Sequence, residues 1–191
     1  MSLVSYLIEK KTKLFDKWKE VSLLPFQESS TFFKNTAQFA NPVSWATEKD
    51  LNLIYDSITG LLDAKSTDKA LDGIVRLRAV QEASPSESVK FLYNFKKLLK
   101  DQFKDFDKLK LKSGEIISLQ EFVEMDLLID NLIYRAFDLY MNCREQLFKI
   151  KLDQISKGNP MMETKCPSAL LDELPKVEFK TQIKPFQGEN S

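Results

Sequence analysis

Apolar residues recur every three or four positions along most of the chain, and that spacing predicts helices. Leu3, Leu7, Leu14, Trp18 and Val21 fall on one face, with lysines and glutamates between them. They predict a first helix over about 2–24. Pro25 is expected to end it, because the residue before a proline is pushed out of the helical region. Residues 29–38, which contain Phe32 and Phe33, read as a short helix or a structured loop. Asn41 followed by Pro42 is an N-cap with proline at the first helical position. It opens a second helix to about Ala64, with Trp45, Leu51, Ile54, Ile58, Leu61 and Leu62 on its buried side.

Leu71, Ile74, Val75, Leu77 and Val80 predict a third helix over about 67–83. Ser84, Pro85 and Glu87 then form a capping-box signature, the sharpest local signal in the chain. A fourth helix follows over about 85–106, with Phe91, Leu92, Phe95, Leu98, Leu99 and Phe103 inward, and 108–114 is a basic connection. The longest element is expected over 118–156. Phe122, Ile129, Ala136, Cys143 and Ile150 are spaced by seven, and Met125, Leu132 and Leu139 fill the second seam position. That period implies a straight helix of roughly 55 Å packed along its length. Gly158, Asn159 and Pro160 stop it.

These elements predict an all-α fold: a bundle of about five helices without a sheet, with the 118–156 helix as its spine. Globin-like packing is one arrangement open to such helices. The helical domain is expected over 1–157. Four of the seven prolines fall in 158–191, which reads as a flexible tail. Within it, 168–174 reads equally as a docking motif and as a helical turn packed on its own domain.

Composition narrows the function. Histidine is absent from all 191 residues, which removes the commonest general base, metal ligand and haem ligand. No catalytic residues, metal site or cofactor are therefore expected; a carboxylate-based site is the enzyme reading that stays open. Haem held by histidine is excluded, and Cys143 would serve only if it faced a cavity. Asp126 and Asp130 lie one turn apart, but di-iron bundles add Glu-x-x-His pairs that are missing here. Lysine plus arginine equals aspartate plus glutamate at 28 each, so there is no general drive toward nucleic acid. No run of about 18 apolar residues occurs, so no membrane span is expected. Lys10, Lys11 and Lys13 follow the apolar start rather than precede it, the wrong order for a secretory signal, and the expected location is the cytoplasm. Two cysteines are too few for a disulfide framework. Cys143 is expected in the core and Cys166 exposed in the tail.

Arg76 and Arg78 stand out inside an apolar helix, with Gln81 one turn beyond Arg78. One reading is an anion or ligand site. The other, preferred reading is a structural ion pair to Asp126, Asp130 or Asp138, tying this helix to the spine. Lys96, Lys97, Lys100, Lys104, Lys108, Lys110 and Lys112 form a basic stretch, expected to be a solvated face.

Three stretches together resemble a known family: Phe39-Ala40-Asn41-Pro42-Val43, then Ile74 through Val89, then Asp138 through Glu145. Their order and spacing are similar to the N-terminal domain of RsbRD, the RsbT co-antagonist protein, over about 3–155. The resemblance implies an all-helical input domain of a bacterial stress regulator, placed before a STAS domain in the stressosome or before DNA-binding output modules elsewhere, and standing alone in some bacteria. Here only the tail follows, so a direct role in stressosome phosphorylation is not expected. Arg76, Arg78, Gln81, Lys96 and Arg144 fall on positions resembling the family's and are the candidate ligand- or partner-binding residues. The expected function is a non-enzymatic regulatory or sensory module that acts through a protein partner or its own oligomer, without nucleic acid. The alternative is an accessory or assembly protein for a redox or respiratory enzyme, without sensing.

Overall fold

In the computed structural model residues 2–29 and 42–157 are described, with the backbone alone for 23–29 and 42. The expectations for Phe32 and Phe33, for Cys166 and for the segment 158–191 lie outside the described residues. The chain divides into two units, 1–150 and 151–191, and only 151–157 of the second is described, as helix through Ser156 and a turn at Lys157. The described part is an all-α bundle with one small hairpin. No helix among the described residues is long and apolar enough to cross a membrane.

The predicted first helix is two: α1 (Leu3–Glu9) and α2 (Lys11–Ser29), separated by Lys10 alone. Neither proline nor glycine marks the break. Tyr55 supplies its cause from outside: its hydroxyl donates to the Leu7 carbonyl at 2.8 Å, the oxygen that Lys11 would bond in an unbroken helix. Pro25 does not end α2, which continues to Ser29. A proline removes one bond of the ladder, and one loss near a helix end does not outweigh the rest.

Two long helices follow. The first, α3 (Pro42–Ile58), is shorter than expected: Gly60, at φ 76°, turns the chain before Ala64. The second, α4 (Ala64–Val80), starts early because Asp63 caps it, its carboxylate accepting from the Ser66 amide. Leu51, Ile54 and Ile58 are buried as the spacing implies, but Trp45 and Leu61 are exposed.

Ser84 caps α5 (Pro85–Lys100), accepting from the Glu87 amide at 3.3 Å. The Glu87 carboxylate turns to Lys90 instead of completing the capping box. Trp18, Tyr55, Phe91 and Phe95 form the centre of the core, with the Trp18 indole N–H donating to the Phe91 carbonyl at 2.7 Å. Each buried ring contributes apolar area, and the indole donor is satisfied.

Helix α5 ends six residues before the expected point. Residues 103–111 instead form a hairpin of β1 (Phe103–Asp105) and β2 (Lys110–Leu111), pairing Phe103 with Leu111. This corrects the expectation of no sheet and of a plain basic connection. Asp105 explains the turn: its carboxylate accepts from the Lys108 amide, a local bond that competes with helix. The hairpin drops Phe103 against Phe122, with ring centroids 5.7 Å apart.

The last element, α6 (Leu119–Ser156), is the expected spine at 38 residues. Phe122, Met125, Ile129, Leu132, Ala136 and Cys143 are buried on its inner seam. Ile150, expected on the same seam, is exposed; nothing among the described residues covers it.

Between α3 and α4 the backbones come close. A Cβ added at Gly73 would run into the Asp50 carboxylate, so glycine makes room for it. Burial pushes the Asp50 carboxyl up to about 6. Its native value lies above its unfolded one, so ionisation costs stability as pH rises from about 4 through 6. Asp50→Asn is expected to stabilise the chain by about 1–2 kcal/mol at neutral pH, a figure discounted because Asp50 is only partly buried. Thermal melts of the two chains should converge below about pH 4.

Candidate functional site

The structure separates the arginine pair. Arg76 is exposed and pairs with Asp72 one turn back, at 3.0 Å. Arg78, only 4% exposed, points inward. Its Nη2 donates to the Ser22 carbonyl at 3.2 Å and its Nη1 to the Glu87 carbonyl at 3.3 Å. Burial pushes its guanidinium down to about 10, which leaves it cationic at neutral pH. The expected ion pair from Arg76 or Arg78 to a spine aspartate is therefore not the one formed. Asp126 and Asp130 are both held by Lys96, at 2.9 and 2.8 Å. The tie between α4 and α6 exists with its polarity reversed: Arg135 on α6 grips Asp68 on α4 with two bonds of 2.8 and 2.6 Å.

Arg78, Tyr140 and Arg144 instead surround the turn that joins α4 to α5. Glu82 sits there at φ 59°, a left-handed conformation that disfavours a side chain. Ala83 N–H bonds the Arg78 carbonyl at 3.1 Å and closes the turn. From α6, the Tyr140 hydroxyl donates to the Ala83 carbonyl and Arg144 Nη1 to the Ala79 carbonyl at 3.3 Å. Cations at the carbonyl end of α4 also meet its negative pole. This is a structural clasp: α2, α5 and α6 all meet the end of α4 through main-chain oxygens. Gln81 is exposed beside it as the cap residue of α4. Of the five candidate residues, Arg78 and Arg144 come together, Gln81 lies at the same turn, and Arg76 and Lys96 lie elsewhere.

A second apolar stripe runs down the outer face of α6. Leu127, Tyr134, Met141 and Phe148 are also spaced by seven, and they are 57%, 68%, 46% and 56% exposed. At about 100° per residue they lie on the side of the helix opposite the buried seam. Val123 and Phe137 widen the stripe. The signal was present in the sequence, but α6 is apolar on two faces, and one apolar seam hid the other.

Among the described residues no group of three or more Cys, Asp or Glu side chains is arranged to hold a metal ion. Cys143 is buried in the core. No protein-family model matches the chain, and no curated protein or solved structure is significantly similar to it.

Proposed function

We propose that this chain is a non-enzymatic regulatory module, of the kind found at the N-terminus of RsbRD, that passes its signal through protein–protein contact. The observation that carries this reading is the outer stripe of α6. Soluble proteins seldom leave a regular apolar stripe of this length uncovered without a partner for it. The exposed parts of its six side chains amount to roughly 600–700 Å², taking about 200 Å² for a whole aromatic side chain and somewhat less for an aliphatic one. A standard interface uses about 800 Å² per partner.

The partner that fits is a second copy, with the two α6 helices antiparallel. An axis near Phe137 sets Leu127 opposite Phe148 and Tyr134 opposite Met141 of the second copy. Parallel pairing would instead set each stripe residue on its own copy, Tyr134 on Tyr134 and Met141 on Met141. A change in this pairing is a message that a regulator can transmit.

Spin labels at Asn131 or Glu124, in a chain carrying Cys143→Ala and Cys166→Ser, test the arrangement. Antiparallel pairing is expected to give label separations of about 20 Å at Asn131 and about 40 Å at Glu124, from the rise per residue. Equal separations of about 10 Å at both sites would mean parallel pairing. No dipolar coupling at either site would remove the observation on which the reading rests.

A further inference from the structure

The lysines of α2 and α5 divide into two sets. On α2, Lys11 pairs with Asp56 at 2.6 Å and Lys19 with Glu48 at 2.9 Å, both on α3. On α5, Lys90 pairs with Glu87, and Lys96 with Asp126 and Asp130. Lys13, Lys17, Lys97 and Lys100 point elsewhere. Together with Lys112 from β2's end of the hairpin they line one open cleft of about 920 Å³. Among the described residues none of these five forms an ion pair; the only acids on the cleft wall are Glu20 and Asp101. Its remaining wall is partly apolar, with Val21 and Leu98 beside the edges of Trp18 and Phe103.

This arrangement costs stability in the empty protein. Like charges within a Debye length of about 8–10 Å repel. Lys13 stands near the amino end of α2, where the helix dipole is already positive and no acid sits in the first turn. The C-terminal pole of α5 accounts for Lys97 and Lys100 alone. A compact anion of several charges would turn the repulsion into attraction, and ammonium groups are well suited to phosphate oxygens as mobile point charges.

We propose that this cleft binds a small polyphosphate, a diphosphate or triphosphate group carried free or on a nucleoside. The five lysines hold the phosphates, and Val21 and Leu98 offer an apolar wall to an attached base. The proposal names the class of signal for the regulatory reading and rests on that reading only for its consequence. The binding itself is independent of the α6 stripe, so either can fail alone.

The test is isothermal titration and thermal melting of the full chain with sodium triphosphate and with a nucleoside triphosphate, at ionic strength matched with sodium chloride. Both ligands are expected to bind saturably and to raise Tm by several degrees. Tighter binding of the nucleoside form would show that the apolar wall takes part; equal binding would assign the site to the phosphates alone. Lys97→Gln/Lys100→Gln is expected to weaken binding at least tenfold, and its own Tm without ligand should equal or exceed the parent's at low salt. Lys65→Gln/Lys69→Gln, the same charge change on α4, should bind as the parent does. The proposal is overturned if chloride at equal ionic strength raises Tm as much, if both double variants lose affinity equally, or if only long RNA binds.

Discussion

Arg78→Ala is expected to lower the stability of the chain by about 3–5 kcal/mol. The guanidinium is buried and reaches two main-chain oxygens, those of Ser22 on α2 and Glu87 on α5. Truncation removes the bonds that tie α4 to the carbonyls of α2 and α5 and opens a cavity beside them. It also releases the turn at Glu82, which holds an unfavourable left-handed conformation only because its surroundings fix it. Arg78→Lys keeps the charge but not the planar fork, and should fall between parent and alanine. Arg76→Ala is the internal comparison. Its partner Asp72 is on the same exposed helix face, so the loss should stay below about 0.5 kcal/mol. Chemical denaturation of the three variants measures these differences directly; equal losses at Arg76 and Arg78 would mean that the clasp is not what stabilises the end of α4.

Much of this architecture was legible from local chemistry. Ser84 and Pro85 announce α5 because a cap acts on its own helix and needs nothing distant. The bounds of α6 were legible because its inner seam repeats from Phe122 to Cys143 and Gly158, Asn159 and Pro160 stop the helix beyond it. What was not legible depended on contacts between elements. The break at Lys10 is made by a tyrosine on α3, and no property of residues 8–12 signals it. The hairpin at 103–111 was hidden because Phe103 and Phe106 also fit a helical period, while the competing bonds of Asp105 are invisible to periodicity. Two arginines in one turn of an apolar helix need partners. Carboxylates are the partners that a side-chain pattern suggests, but main-chain oxygens serve as well, and no side-chain pattern encodes them. The basic residues of α5 read as a solvated face when considered alone. Only the fold brings Lys13 and Lys17 beside Lys97 and Lys100, because α2 and α5 pack together. The outer stripe of α6 is present in the spacing too, but the inner seam alone suffices to explain a helix there.

The stripe is also where substitutions should have the largest effect on assembly. Tyr134→Glu/Met141→Glu places two carboxylates on each α6 at the centre of the proposed contact. In the antiparallel register those four charges face one another in an apolar surround, where unpaired ions are strongly disfavoured. Self-association should weaken at least 100-fold, about 2.7 kcal/mol. Both side chains point to solvent in the single chain, so its own stability should change by no more than about 0.5 kcal/mol. A substitution that separates assembly from folding in this way identifies a surface and not a core defect.

Sedimentation equilibrium of the parent chain and of Tyr134→Glu/Met141→Glu is the most direct measurement. The parent is expected to approach twice its 22.1 kDa chain mass at tens of micromolar. The variant is expected to remain at the single-chain mass with an unchanged melting temperature. A parent chain that stays monomeric at about 100 µM, or a variant that dimerises as the parent does, would contradict the assignment of α6 as the contact surface.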